Sequence, residues 1–88
     1  MFNILIVEDE KKIRDLLEIY FIKENYTVDK AENGEEALLK MQLNNYDIIL
    51  LDLYMPKMDG FDTCREIRKT SSVPIVILTA LSDDESQL

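Results

Sequence analysis

Four oxygen-bearing side chains stand directly after short apolar runs in this sequence. Glu8 and Asp9 follow Ile4 to Val7, Asp52 follows Ile48 to Leu51, and Thr79 follows Ile75 to Leu78. If these runs are parallel strands, their C-terminal ends share one rim, the place where parallel sheets bind ligands. Two like charges ~4 Å apart repel by about 4 kcal/mol at an effective dielectric near 20. Carboxylates gathered on such a rim therefore need a cation or raised pKa values. The donors are all oxygens and the chain contains no histidine, which suits a hard cation, Mg2+ before others. Mg2+ keeps several waters and favours one or two carboxylates together with a phosphate, so the chemistry indicated is phosphoryl transfer. Taken singly, Glu8 and Asp9 read as solvated helix-start residues, Asp52 as a loop cap and Thr79 as a strand-end hydroxyl. Their convergence is what points to a site.

The elements that must position them are legible from periodicity. Ile4 to Val7, Ile48 to Leu51 and Ile75 to Leu78 are continuous apolar runs, as expected of strands covered on both faces. A fourth, more polar strand is expected around Val28. Between the strands, Ile13, Leu16, Leu17 and Tyr20 fall at helical spacing, as do Ala37, Leu38 and Met41. Phe61, Cys64, Ile67 and Arg68 mark one side of a third helix, and Lys11, Lys12 and Arg14 are expected on a solvated face of the first. Asn33-Gly34 reads as a turn into a helix, and Asp59-Gly60 as a helix cap beside a turn with positive φ. Pro56 shapes the same loop, and Ser82, Asp83 and Asp84 are placed to start a fourth helix. The order β-α-β-α-β-α-β implies an α/β fold, a doubly wound parallel sheet with right-handed crossovers. If the last strand lies outermost, it leaves an apolar edge that soluble proteins normally avoid.

Composition narrows the alternatives. With 47% apolar and 32% charged residues the chain reads as an ordinary globular protein. A net charge of −8 argues against direct nucleic-acid binding by these residues. One cysteine, Cys64, excludes an internal disulfide and reads as a small buried apolar group. Uninterrupted apolar runs of only four or five residues cannot cross a membrane, and the acidic start "MFNILIVEDE" lacks the basic segment of a signal peptide. The expected location is cytoplasmic.

The strings "IVEDE", "LLDLYMPKMDG" and "ILTA" together resemble the receiver domain of two-component response regulators, over residues 3 to 88. The D-x-x-M-P-x-x-D-G pattern, set between E-D and T-A, is the specific part. The resemblance implies a flavodoxin-like receiver fold that binds Mg2+ and takes a phosphoryl group from a phosphohistidine on a sensor histidine kinase. By position, Asp52 would be the phosphoacceptor, and Asp9 a direct metal ligand with Glu8 acting through water. Tyr54 would lend its backbone carbonyl to the metal, Thr79 would bind a phosphoryl oxygen, and Ala80 would leave room beside it. Catalysis would then be limited to the chain's own phosphorylation and dephosphorylation.

Family members also use a lysine and an aromatic residue on a fifth strand, followed by a last helix. No lysine of this chain, Lys40, Lys57 and Lys69 included, stands at the matching position. Residues 1–88 thus read as a receiver domain lacking its C-terminal part, from the N-terminal portion of a transcriptional regulator. The alternative is a phosphorylation-incompetent piece that folds or self-associates through its last strand. An aspartyl-nucleophile phosphatase would want a second acid where Tyr54 stands, and a dinucleotide domain would want a glycine-rich loop after the first strand.

Overall fold

Seven elements alternate along the chain in the computed structural model, which describes residues 2–55 and 58–78. They are β1 (Asn3–Val7), α1 (Lys11–Lys23), β2 (Thr27–Ala31), α2 (Gly34–Leu43), β3 (Ile48–Leu51), α3 (Gly60–Thr70) and β4 (Ile75–Ile77). Pro56, Lys57, Thr79, Ala80, Ser82, Asp83 and Asp84 lie outside the described residues. The four strands form one parallel sheet in the order β2-β1-β3-β4. Period-two alternation divides the core between its faces. Leu5, Val7, Ile49 and Leu51 pack with Ala37 of α2 and Ile67 of α3. Ile4, Ile6 and Leu50 pack with Leu17 and Phe21 of α1 on the other face. The sheet is therefore wound on both sides, as the alternation of elements predicts.

Two helix faces differ from the sequence expectation. In α1 the inward residues are Arg14, Leu17 and Phe21, whereas Leu16 and Tyr20 are 67% and 56% exposed. Each of the exposed pair precedes an inward residue by one position, about 100° round the helix. Arg14 consequently leaves the solvated face to which its charge assigned it, while Lys11 and Lys12 stay on it. In α3 the buried residues are Gly60, Thr63 and Ile67. Cys64 is only partly buried against them, and Phe61 and Arg68 are exposed. Thr63 tolerates full burial because its hydroxyl donates to the Asp59 carbonyl at 2.8 Å.

The caps agree with the expectation. The Asn33 side chain accepts from the Glu36 amide at 2.9 Å, and that of Asp59 accepts from the Asp62 amide at 2.9 Å. Each satisfies a helix-start donor. β4 lies at the edge of the sheet, where Val76 and Ile77 are exposed. It ends at Ile77, one residue earlier than the apolar run, although the Leu78 amide still donates to the Leu51 carbonyl at 2.8 Å.

Gly60 serves a different purpose from the expected turn, since no glycine here has positive φ. A Cβ at this position would sit 2.2 Å from the Leu53 Cα and 2.5 Å from the Asp52 carbonyl oxygen. Its amide also donates to the Leu53 carbonyl at 2.7 Å. The glycine lets the start of α3 lie directly against the backbone that leaves β3. Backbone atoms cannot swing aside as a flexible side chain can. Gly60→Ala is therefore expected to lower stability by about 2 kcal/mol or more, read as a lower urea midpoint; an unchanged midpoint would refute the close-approach account.

Candidate functional site

Strand register brings the acidic residues together. Val7 of β1 lies opposite Leu51 of β3, so the next residues, Glu8 and Asp52, leave the sheet side by side. The Asp52 amide donates to the Val7 carbonyl at 3.0 Å, and the Glu8 amide donates to the Ala31 carbonyl at 3.1 Å. Both backbones are thus still held by their neighbours where the side chains turn onto the rim. Glu8, Asp9 and Asp52 can each present a carboxylate oxygen such that all three lie within 4.8 Å of one another. They line a cleft of about 480 Å3 together with Ile13, Tyr54 and Leu78.

The three carboxylates occupy unequal environments. Glu8 is buried, Asp52 partly buried and Asp9 exposed. Burial pushes the Glu8 carboxyl up to about 7, and the negative Asp52 and Asp9 push in the same direction. The Glu10 amide, which donates to the Glu8 carboxylate at 3.1 Å, opposes them. The Asp52 carboxylate accepts from the Tyr54 amide at 3.1 Å. This bond folds the chain back after β3 and leaves the Tyr54 ring exposed, so only its backbone is directed by the site. All-oxygen donors at this spacing can hold a hard divalent cation. Such an ion would offset the burial that chiefly raises Glu8 and the smaller push from Asp52 and Asp9.

Of the residues singled out in the sequence, Glu8, Asp9, Asp52 and Tyr54 share this cleft. Thr79 lies outside the described residues, one position beyond Leu78, which does line the cleft. Arg14 is the participant the sequence reading misplaced. Its Nη1 donates to the carbonyls of Glu8 at 2.9 Å and Asp9 at 3.3 Å. The signal was available, because Arg14 stands three residues before Leu17 and seven before Phe21, on their side of the helix.

The described residues contain no helix long and apolar enough to cross a membrane. Comparison with known proteins places this geometry in a family. The model of the response regulator receiver domain matches residues 4–88. The transcriptional regulatory protein ResD of Bacillus subtilis is 49% identical over 86 residues, which cover 98% of this chain and 36% of that protein. The response regulator ArlR of Staphylococcus haemolyticus is 47% identical over 83 residues, covering 94% of this chain and 38% of its own length. The chain thus spans a little over a third of these relatives. Among solved structures, the response regulator TrrA of Thermotoga maritima, in complex with Mg2+-BeF, is 46% identical with a TM-score of 0.86. That match covers 100% of this chain and 77% of TrrA. TrrA in complex with the histidine kinase ThkA matches with 47% identity and a TM-score of 0.83, over 91% of this chain and 70% of the other. A parallel sheet wound on both faces, an acidic cleft at the ends of β1 and β3 and these likenesses lead to one conclusion: the chain belongs to the response regulator receiver domain family.

Proposed function

We propose that this chain is a phosphorylation-controlled signalling switch whose phosphoacceptor is Asp52 and whose cofactor is Mg2+. The observation that carries the reading is the gathering of the Glu8, Asp9 and Asp52 carboxylates within 4.8 Å at the ends of adjacent strands. The all-oxygen donor set fits Mg2+, with Asp9 and Asp52 as direct ligands, Glu8 acting through water and the Tyr54 carbonyl completing the protein's share. When bound, Mg2+ supplies neutralisation of the charge that accumulates on the phosphoryl oxygens.

The chain's own groups then have separate tasks. An Asp52 carboxylate oxygen attacks phosphorus, the bond from phosphorus to the donor histidine nitrogen breaks, and an acyl phosphate forms on Asp52. Water later cleaves it and releases inorganic phosphate. The amide bond from Tyr54 to the Asp52 carboxylate restrains the nucleophile's orientation. Thr79 is proposed to hold a phosphoryl oxygen through its hydroxyl, with the small Ala80 beside it leaving space. The complexes of TrrA with Mg2+-BeF and with a histidine kinase support a metal-dependent site and a sensor kinase as phosphodonor. ResD, named a transcriptional regulatory protein, supports an intracellular regulator of transcription as the parent molecule. The exposed edge of β4, with Val76 and Ile77 in solvent, favours a second reading in which the chain folds and self-associates without accepting phosphate.

Incubation with Mg2+ and acetyl phosphate, followed by intact-mass measurement, separates the two. The expected result is the added mass of one phosphoryl group, lost on omission of Mg2+ and in Asp52→Asn. No added mass under any condition would favour the second reading.

The raised Glu8 carboxyl gives a further expectation for the metal-free protein. Its folded pKa, about 7, lies above its ordinary value of 4.5. Its contribution to stability is therefore fully present below about pH 4.5 and is lost as pH rises through about 7. Glu8→Gln removes that loss. The variant's stability relative to the wild type is expected to grow by on the order of 2 to 3 kcal/mol across this window. Urea unfolding in a chelator checks it, and a difference that stays constant with pH would contradict the assignment.

A further inference from the structure

We propose that Arg14 is a positioning residue for the acidic site, its guanidinium clamping the main chain that carries Glu8 and Asp9. The inference rests on the metal-dependent reading above and adds the residue that presets its geometry.

Among the described residues, Arg14 is the buried member of the basic set, with 8% exposure, and the only buried residue of α1. Burying a guanidinium is unfavourable unless its donors are satisfied. Several other cations make ion pairs at or near the surface, and Arg68, which also donates to two carbonyls, is exposed. Lys11 pairs with Asp15, Lys30 with Glu18, Arg65 with Asp62 and Lys69 with Glu66. Arg14 instead turns one nitrogen onto two consecutive carbonyls, those of Glu8 and Asp9, which are the residues between the end of β1 and Glu10.

That turn has few other restraints. The cap residue Glu10 makes no side-chain cap to the start of α1. The Glu8 carboxylate accepts from the Glu10 amide on one side of the turn, and Arg14 donates to the carbonyls on the other. Asp9 is exposed, so no burial of its side chain holds it. Together with the side-chain hydrogen bond between Glu8 and Asp9, the clamp holds Asp9 where its carboxylate reaches Glu8 and Asp52. A guanidinium suits this because its donors are set in a plane and its charge is permanent. An ammonium at the end of a lysine stem has no such fork. A glutamine keeps a donor but loses both charge and reach.

The test is a Mg2+ titration of the wild type, Arg14→Lys and Arg14→Gln, followed through the backbone amide resonances of Glu8, Asp9 and Glu10. These resonances report the folded molecules alone, so partial unfolding changes their intensity and not their midpoint. A positioning role predicts Mg2+ affinity about tenfold weaker or more in Arg14→Gln, with Arg14→Lys between it and the wild type. Folded variants that bind Mg2+ with wild-type midpoints would overturn the proposal, and lower intensity alone would assign Arg14 to stability. Should Arg14→Gln not fold, Arg14→Lys decides by the same midpoint. A wild type that shows no Mg2+-dependent shift would instead defeat the metal-site reading beneath it.

Discussion

Repulsion among three carboxylates is the constraint around which this molecule is organised. Register leaves little choice. Because Val7 pairs with Leu51, whatever follows β1 and β3 must emerge together, and here Glu8 and Asp52 follow. Burial of Glu8 is the largest cost, the Asp52 and Asp9 charges add to it, and the Glu10 amide offsets part of it. The strands can carry it because they are the most deeply buried elements. Leu5, Ile6, Val7, Ile49 and Leu51 are inaccessible to solvent, and burying such side chains is worth roughly 1.5 to 3 kcal/mol each. The hydrophobic centre thus holds an electrostatically unfavourable rim in place, and under the proposed function a cation would convert that strain into affinity.

The surrounding elements serve the same end. The Tyr54 amide turns the chain back toward Asp52, and Gly60 lets α3 begin against the backbone of Asp52 and Leu53. Ile67 and Thr63 then seat α3 on the sheet face opposite α1. On the other face, Leu17 and Phe21 fix α1 against Ile4, Ile6 and Leu50, and this brings Arg14 beneath the turn after β1. Loops that carry chemistry are commonly mobile. Here Glu8, Asp9 and Glu10 alone separate β1 from α1, and the Asp52 and Leu53 backbone is held by the Val7 carbonyl and the Gly60 amide.

Much of this was legible in the sequence, for definable reasons. Four-residue apolar runs ended by carboxylates read directly as buried parallel strands, and Asn33 and Asp59 announced their helices as caps do. What periodicity blurred was the facing of helices with apolar residues on several sides. In α1, Leu16, Ile19, Tyr20 and Ile22 are exposed, so counting apolar positions chose a stripe one residue out of place. Charge alone points Arg14 to solvent, and it is a proxy for solvent only where no carbonyls wait inside, as those of Glu8 and Asp9 do here. At Gly60 the sequence points to a left-handed turn, because a close backbone contact leaves no mark in a sequence that distinguishes the two. Phe61, expected on the inward side of α3, is exposed, and Thr63 is buried in that helix because a threonine whose hydroxyl is bonded within its own helix start packs like a small apolar residue.

The measurement that bears most directly on the central claim is proton release on Mg2+ binding, by calorimetric titration at one pH in buffers of differing ionisation enthalpy. If the cation relieves a carboxyl held near 7, binding at pH 7 releases about half a proton and by about pH 9 releases almost none. Binding at pH 7 with no proton release, or no binding at either pH, would contradict it.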